Sequence, residues 1–181
     1  MHDAPLSPLH RQVWTAALAA LIAAGAYLHI PIGPVPISLQ TYFVLLAGFI
    51  LGPVRGGVCV LLYLAAGAIG LPVFAGGKGG LGVFLGPTGG YLAGFVCCAV
   101  VCGLGKPRDA APGVVRTLLI GLAGFAVLYA CGLAWLMHAI NASFAKAVSV
   151  GLVPFLPGLA IKAVAAALTL RALARQRLLP A

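Results

Sequence analysis

Residues 71–91 read LPVFAGGKGGLGVFLGPTGGY, a loop with eight glycines, two prolines and one lysine between two long apolar segments. Glycine lets a backbone approach a ligand closely and adopt positive φ, while prolines and packed aromatic rings hold such a loop in shape. A loop this apolar is neither a flexible linker nor an ordinary surface turn. We therefore predict a recognition loop set between membrane helices.

The composition of the whole chain is that of a membrane protein. Of 181 residues, 62% are apolar and only 7% are charged, with 11 basic residues against two acids, Asp3 and Asp109. Soluble domains carry about a quarter charged residues, so a soluble chain of this length lacks the charge to cover its surface. The basic residues stand at the ends of apolar runs and form no stripe, which argues against nucleic acid as a partner.

Six apolar runs predict an all-α membrane protein folded as one domain over residues 1–181. A membrane-spanning helix needs about 20 mostly apolar residues, or fewer where the flanking loops are buried as well. Several runs are short, which indicates that the apolar loops between them also lie within the membrane. The predicted helices cover residues 13–28, 39–51, 56–71, 89–104, 117–137 and 152–173.

The basic residues predict the orientation of these six spans. Cytoplasmic loops are enriched in lysine and arginine, and eight such residues fall on one side, against Lys78 and Lys146 on the other. Both termini are therefore expected in the cytoplasm. The external side then carries three largely apolar loops, 29–38, 72–88 and 138–151, which suit the walls of a pocket. The eight residues are Arg11, Arg55, Lys106, Arg108, Arg116, Arg171, Arg175 and Arg177.

The sequence argues against a nucleotide-binding site. Residues 77–82 match G-x-G-x-x-G, but that fingerprint works only between a strand and a helix, and here it lies between membrane spans. Gly105-Lys106 is followed by Pro107, and Gly77-Lys78 by Gly79, so neither lysine belongs to a phosphate loop. Neither acid lies within a span, so the chain has no carboxylate there to bind sodium or relay protons. Uphill transport would need an energy-supplying partner.

Lys162 is the first candidate site residue. It lies nine residues before Arg171 and follows Pro154, Pro157 and Gly158, which restart the last helix. Near a helix N-terminus the free backbone N–H groups add positive potential, so a lysine there without a nearby acid favours an anionic ligand. The alternative is a lysine that extends to the membrane surface.

Other polar candidates flank the glycine-rich loop. Gln40, at the outer end of a span, suits a hydrogen bond to an amide or urea, and a structural bond between helices is equally compatible with the pattern. Cys98 and Cys102 have helical spacing but no third ligand, so we expect packing residues and no metal. The ligand-contacting residues we predict are Lys162, Gln40, Phe74, Gly76, Gly77, Lys78, Thr88, Gly89 and Tyr91.

Two lines of small residues predict close helix contacts. Ala16, Ala20 and Ala24 repeat every four residues on the first helix, which suits either a partner or internal packing. Gly86, Gly90 and Gly94 form a similar line entering the fourth predicted helix, where contact with a neighbouring helix is favoured.

Five segments resemble one family across nearly the whole chain. IPIGPVPISLQT (30–41), LGPVRGG (51–57), GLPVFAGGKGG (70–80), LGPTGGYLAGF (85–95) and PFLPGLAIK (154–162) are similar to the biotin-specific S components of energy-coupling-factor (ECF) transporters, the BioY family. The resemblance implies a six-helix subunit of the bacterial plasma (inner) membrane that binds biotin tightly from outside. It also implies a transmembrane T component and a pair of cytoplasmic ATPases as partners, with the alanines of the first helix against the T component.

The resemblance implies neither catalysis nor a cofactor, and one position departs from the family. The sixth-helix pattern commonly reads P-G-D-x-x-K, whereas Leu159 stands here at the acidic position, ahead of Lys162. Two alternatives stay open: an S component for another small anionic vitamin, and an intramembrane enzyme. The second lacks an acid within the spans and a Cys/His pairing.

Overall fold

In the computed structural model, which describes residues 8–106, 113–176 and 178–179, the chain is mostly helical. Two antiparallel strands of two residues each form a β-hairpin between the first two helices. A 3-10 turn, Val153–Phe155, precedes the last helix. The elements are α1 (Pro8–Tyr27), β1 (His29–Ile30), β2 (Ile37–Ser38), α2 (Gln40–Leu51), α3 (Pro53–Ala68), α4 (Gly82–Leu85), α5 (Gly89–Leu104), α6 (Val114–Ala139), α7 (Phe144–Gly151) and α8 (Leu156–Arg175).

Helix bounds differ from the sequence prediction mainly at the starts. The helix predicted from residue 56 begins at Pro53, because proline at the first helical position costs no hydrogen bond and has the right φ. The first helix begins at Pro8 rather than residue 13, and the last at Leu156 rather than residue 152. The helix predicted over 117–137 is longer, Val114–Ala139, whereas α5 has the predicted bounds.

The segments predicted to be external contain regular structure that was not expected from the sequence. His29–Ile30 and Ile37–Ser38 pair as antiparallel strands where we expected only an apolar loop. In the third loop, α7 begins after Ser143, whose side chain accepts a hydrogen bond from the backbone N–H of Lys146. A serine at this position offsets an unpaired N–H of the first turn.

Glycines bring α5 and α6 into close contact. A Cβ built on Gly90 would lie 2.2 Å from the Cβ of Trp135, and one on Gly94 would lie 2.8 Å from the carbonyl oxygen of Leu128. The indole N–H of Trp135 donates to the carbonyl oxygen of Gly86 at 2.9 Å. The predicted glycine line is therefore a contact between helices.

The outer surface of the bundle is apolar. Large side chains such as Leu61, Leu119, Ile161 and Leu168 are more than half exposed, as expected of a surface that faces lipid. Within the described residues, two helical stretches are long and apolar enough to cross a membrane, Val114–Ala139 and Phe144–Arg175. Three further apolar helices are shorter, Gln40–Leu51, Pro53–Ala68 and Gly89–Leu104.

The two ends of the bundle differ in character. The helices α1, α3 and α6 begin, and α2, α5 and α8 end, where the basic residues lie; we call this the basic end, with Arg11, Arg55, Lys106 and Arg175. The opposite end, with the hairpin and residues 70–88, we call the pocket end. Arg108 and Arg177, which also supported the orientation prediction, lie outside the described residues.

Candidate ligand-binding site

A cavity of about 470 Å³ opens at the pocket end. Its walls come from the hairpin, the start of α2, residues 74–88, the first turns of α5, the second half of α6, the 3-10 turn and α8. The lining is mostly apolar and aromatic, with a few polar groups and two lysines. Size and composition are those of a site for a small organic molecule, which typically measures about 300–1,000 Å³.

Lys162 lies in the second turn of α8 and faces this cavity. Its half-buried ammonium group donates to the carbonyl oxygen of Ser38 at 2.6 Å and to Oγ1 of Thr41 at 3.1 Å. The described residues contain no carboxylate side chain, so the positive charge is met only by neutral oxygens within that part of the chain. An ammonium held in this way attracts an anionic or strongly polar acceptor.

Gln40 is buried in the cavity wall and held on both sides. Its Oε1 accepts from the Ser38 hydroxyl at 2.8 Å, and its Nε2 donates to the hydroxyl of Tyr63. Both alternatives left open by the sequence therefore have a structural basis, since Gln40 makes a bond between helices and also lines the cavity. Tyr63 lies outside the lining and was not among the predicted residues.

The glycine-rich loop folds into a tight turn that places Phe74 in the cavity wall. The N–H of Phe74 donates to the carbonyl oxygen of Lys78 at 2.9 Å, and Gly76 and Gly77 between them have φ of 79° and 69°. Positive φ is unstrained only in glycine, which explains two glycines at the tip. Further on, the N–H of Gly80 donates to the carbonyl oxygen of α3 residue Gly67 at 2.7 Å.

Aromatic packing fixes the position of Phe74. Its ring lies directly over Gly67, where an added Cβ would come within 2.1 Å of the ring. It also meets the rings of Tyr63 and Phe84 edge to face, with centroids 5.6 Å and 5.5 Å away. Edge-to-face contacts of this kind stabilise a defined ring orientation. The loop is a packed wall, and residues 77–82 belong to no strand–helix nucleotide site.

The predicted ligand residues divide into two groups. Six line the cavity, and three do not. The lining residues are Lys162, Gln40, Phe74, Lys78, Thr88 and Tyr91. Gly76 and Gly77 lie exposed at the tip of the turn. Gly89 is buried against the carbonyl oxygen of Phe84, where no side chain would fit.

Two aromatic residues of the cavity wall, Tyr129 and Phe155, were not predicted from the sequence. Tyr91 meets Tyr129 edge to face at 5.7 Å, and Tyr129 meets Phe155 at the same centroid distance. The Tyr91 hydroxyl donates to the carbonyl oxygen of Gly151 at 2.9 Å, so it is used to join α5 to α7. A tyrosine inside an apolar run and a phenylalanine between Pro154 and Pro157 were the available signals.

The alanines predicted to meet a partner lie on the outside of α1. Ala16, Ala20 and Ala24 are all exposed, whereas Leu18 and Ile22 face the core. The surface that the three alanines share is not used for packing within the described residues. Leu159, which stands where the resembled family commonly has an acid, is buried one turn before Lys162 and does not line the cavity.

An apolar helical bundle with a lysine-containing cavity at one end has the features of a membrane protein that binds a small molecule. Comparison with known proteins identifies its family. Residues 1–178 match the BioY family, and the chain belongs to that family. The resemblance noted in the sequence motifs is thereby confirmed.

Three relatives align with this chain along most of their lengths. The chain is 45% identical to the biotin transporter BioY of Thermotoga maritima over 149 residues, 82% of this chain and 86% of that protein. It is 44% identical to the biotin transporter BioY of Rhizobium etli over 170 residues, 88% of this chain and 90% of the other. The probable biotin transporter BioY of Pyrococcus horikoshii is 41% identical over 151 residues, 83% and 88% of the two chains.

A solved structure has the same fold. It is the crystal structure of the S-component for biotin from an ECF-type ABC transporter, with a TM-score of 0.81 and 32% sequence identity. The match covers 91% of this chain and 90% of that one. The family is one of transporter components and not of enzymes.

Proposed function

We propose that this chain is the biotin-capturing S component of an uptake transporter. The observation that carries the proposal is the cavity at the pocket end, where the half-buried Lys162 faces a mostly apolar and aromatic wall. The ligand is inferred from the relatives, which are biotin transporters, and from the solved S-component for biotin. Biotin combines an apolar fused ring with a ureido group and a carboxylate, which suits such a wall.

Lys162 and Gln40 provide the polar recognition in this proposal. An ammonium group only donates hydrogen bonds, so Lys162 would meet an acceptor oxygen of the ligand. Its ammonium group has three N–H donors and gives two of them to Ser38 and Thr41 within the described residues, so the third can meet the ligand while the side chain stays in place. Phe74, Tyr129 and the ring of Tyr91 would enclose the apolar part of biotin.

The proposed topology has six spans in one domain over residues 1–181, with both termini in the cytoplasm of a bacterial cell. Three of the helices are only 12 to 16 residues long. The packed loops at the pocket end extend the apolar layer beyond them. Burial lowers the pKa of Lys106, and the charges of Arg11 and Arg55 lower it further, which supports the collection of basic residues at one membrane face.

The exposed alanines of α1 would receive the T component, and a pair of ATPases would supply the energy. Small residues let two helices approach closely, and the line of Ala16, Ala20 and Ala24 is unused within the described bundle. The chain lacks a phosphate loop of its own. We therefore propose a subunit without catalytic activity and without a cofactor, for which biotin is cargo.

Calorimetry with the purified full chain tests the ligand. Biotin should bind one to one, and a panel of desthiobiotin, lipoate and thiamine should show weaker or no binding. Absence of biotin binding would refute the proposal, and tight binding of another member of the panel would favour an S component for a different vitamin. Purification from cells that also express a T component and its ATPases tests the partners.

A further inference from the structure

Two arginines are brought together by the register of α1 and α3. The thiol of Cys59 donates to the carbonyl oxygen of Thr15 at 3.3 Å, so these helices lie side by side at that level. Both helices run from the basic end to the pocket end. Arg11 and Arg55 each stand four residues before the paired residues, about one helical turn nearer the basic end. They therefore lie next to each other where the helices begin.

Lys106 joins this pair from the end of α5. The turn between α2 and α3 packs tightly on α5, since a Cβ on Gly103 would lie 2.3 Å from the backbone nitrogen of Pro53. A Cβ on Gly52 would lie 3.5 Å from Cδ of Lys106, so the lysine stem runs along this turn. Burial lowers the pKa of Lys106, and the charges of Arg11 and Arg55 lower it further, which agrees with this placement of the three residues. We call Arg11, Arg55 and Lys106 the basic cluster.

The chain cannot neutralise its basic end. Six of the described basic residues lie in the segments that begin or end there, and the whole chain has two acids, which leaves four positive charges wherever Asp3 and Asp109 lie. Like charges held close together destabilise a fold unless an anion is bound among them. Arginine and lysine side chains from different helices are also suited to hold a phosphate group with several charge-assisted hydrogen bonds.

Exposed apolar side chains border the basic cluster. Val13 on α1, Val54 on α3 and Leu104 on α5 are 56%, 77% and 73% exposed, and each lies within two residues of a member of the cluster. A free inorganic anion makes no favourable contact with such an apolar surface. An anionic lipid uses both parts, with its phosphate on the basic side chains and its acyl chains along the apolar ones.

We propose that Arg11, Arg55 and Lys106 bind the phosphate group of an anionic membrane lipid such as phosphatidylglycerol, at the end of the bundle opposite the vitamin cavity. The site is separate from the proposed biotin pocket. Free phosphate shares the head-group chemistry, and the apolar border favours the lipid.

Trp14 provides a reporter beside the site. It lies three residues after Arg11, and its indole N–H donates to the His10 ring at 2.9 Å, which holds it near the start of α1. The other tryptophan, Trp135, lies near the outer end of α6 and can be replaced by phenylalanine to leave a single emitter. This W135F chain is reconstituted into phosphatidylcholine vesicles, and quenching by brominated phosphatidylglycerol is compared with quenching by brominated phosphatidylcholine.

We expect brominated phosphatidylglycerol to quench Trp14 fluorescence at a several-fold lower mole fraction than brominated phosphatidylcholine. This preference for the anionic lipid should weaken as salt is added. Arg11→Gln and Arg55→Gln should each lower that preference about fivefold. Arg116→Gln, at the start of α6, removes an exposed charge of the same end and should leave it unchanged. Retained biotin binding and helical circular dichroism in each variant show that the fold is intact.

Three results would overturn the proposal. Equal quenching by the two lipids in the parent would show no anionic site near Trp14. A preference that survives the double change of Arg11 and Arg55 would place the site elsewhere. Reversal of the quenching by millimolar inorganic phosphate, without an equal effect of chloride at the same ionic strength, would assign the site to free phosphate and not to lipid.

Discussion

The ammonium group of Lys162 lies 2.6 Å from the carbonyl oxygen of Ser38, across 124 positions of sequence. This bond joins the last helix to the end of the β-hairpin at the edge of the cavity. The same ammonium group donates a second hydrogen bond to Oγ1 of Thr41. The lysine therefore has a fixed position before a ligand arrives, and ligand binding need not order a free side chain.

Replacing Lys162 by methionine should weaken biotin binding by about 2–3 kcal/mol, or roughly 30- to 150-fold in Kd, because a charge-assisted hydrogen bond is lost. Methionine keeps most of the stem, so the wall stays filled. Calorimetry measures the change. The matched control is Lys146→Met, which removes an exposed lysine on α7 outside the cavity lining. Equal Kd values for the Lys162→Met and parent chains would show that the ammonium does not meet the ligand.

Tyr63→Phe should lower both thermal stability and biotin affinity. The change removes the hydroxyl that accepts from Gln40, which leaves the buried Nε2 of Gln40 without its acceptor and the amide held only by the Ser38 hydroxyl. The cost of such an unpaired group is about 1–3 kcal/mol in stability. Tyr42→Phe is the control, since it removes a hydroxyl bonded to Thr169 at 2.8 Å that does not line the cavity. It should lower stability alone. Equal effects of the two changes on Kd would refute a positioning role for Tyr63.

Gly79→Ala should damage the pocket, whereas Gly82→Ala should leave it intact. A Cβ on Gly79 would lie 2.4 Å from the carbonyl oxygen of Leu71, so the loop must move, at about 1–3 kcal/mol. Gly82 lines the same cavity, but its added Cβ would meet nothing within 4 Å. Biotin titration and thermal unfolding of both variants measure the difference. If both variants bind biotin as tightly as the parent chain, the loop is not a packed wall.

Ala20→Leu should impair assembly with the T component without affecting the isolated chain. Ala20 is exposed, so the larger side chain finds room in the free subunit and stability should change by less than about 0.5 kcal/mol. At a close helix contact the same side chain would separate the two backbones. Ala93→Leu, on an exposed site of α5, serves as control. The yield of copurified T component is the measurement, and undiminished recovery with Ala20→Leu would exclude this face as the interface.

Local signals predicted the elements more accurately than their ends. Long apolar runs identified the helix Gly89–Leu104 to the residue, because proline and threonine precede it and the apolar run stops at Gly105. The short helices α4 and α7 were missed, since four or eight residues carry too little periodic pattern. Their formation depends on packing against the larger helices and, for α7, on the Ser143 cap.

The residues in and behind the cavity wall also include some that the sequence predicts and some that it does not. Lysine in an apolar run and glutamine at a span end are conspicuous in any sequence, and both line the cavity. Tyr63 and Tyr129 looked like ordinary members of apolar helices. Their roles come from helices that are distant in sequence and adjacent in space.

The sequence by itself determined that the chain belongs in a membrane, that it lacks a phosphate loop, and that its glycine-rich loop and Lys162 resemble the BioY family. These features follow from composition and from contiguous motifs, which act over a few residues. Only the tertiary structure decided that Gly76, Gly77 and Gly89 shape the loop without lining the cavity, and that Gln40 is held by Tyr63. It also brought the starts of α1 and α3 beside the end of α5, and with them Arg11, Arg55 and Lys106. The reason is physical: which atoms face a cavity depends on how helices pack, and that packing joins residues whose separation in sequence carries no signal.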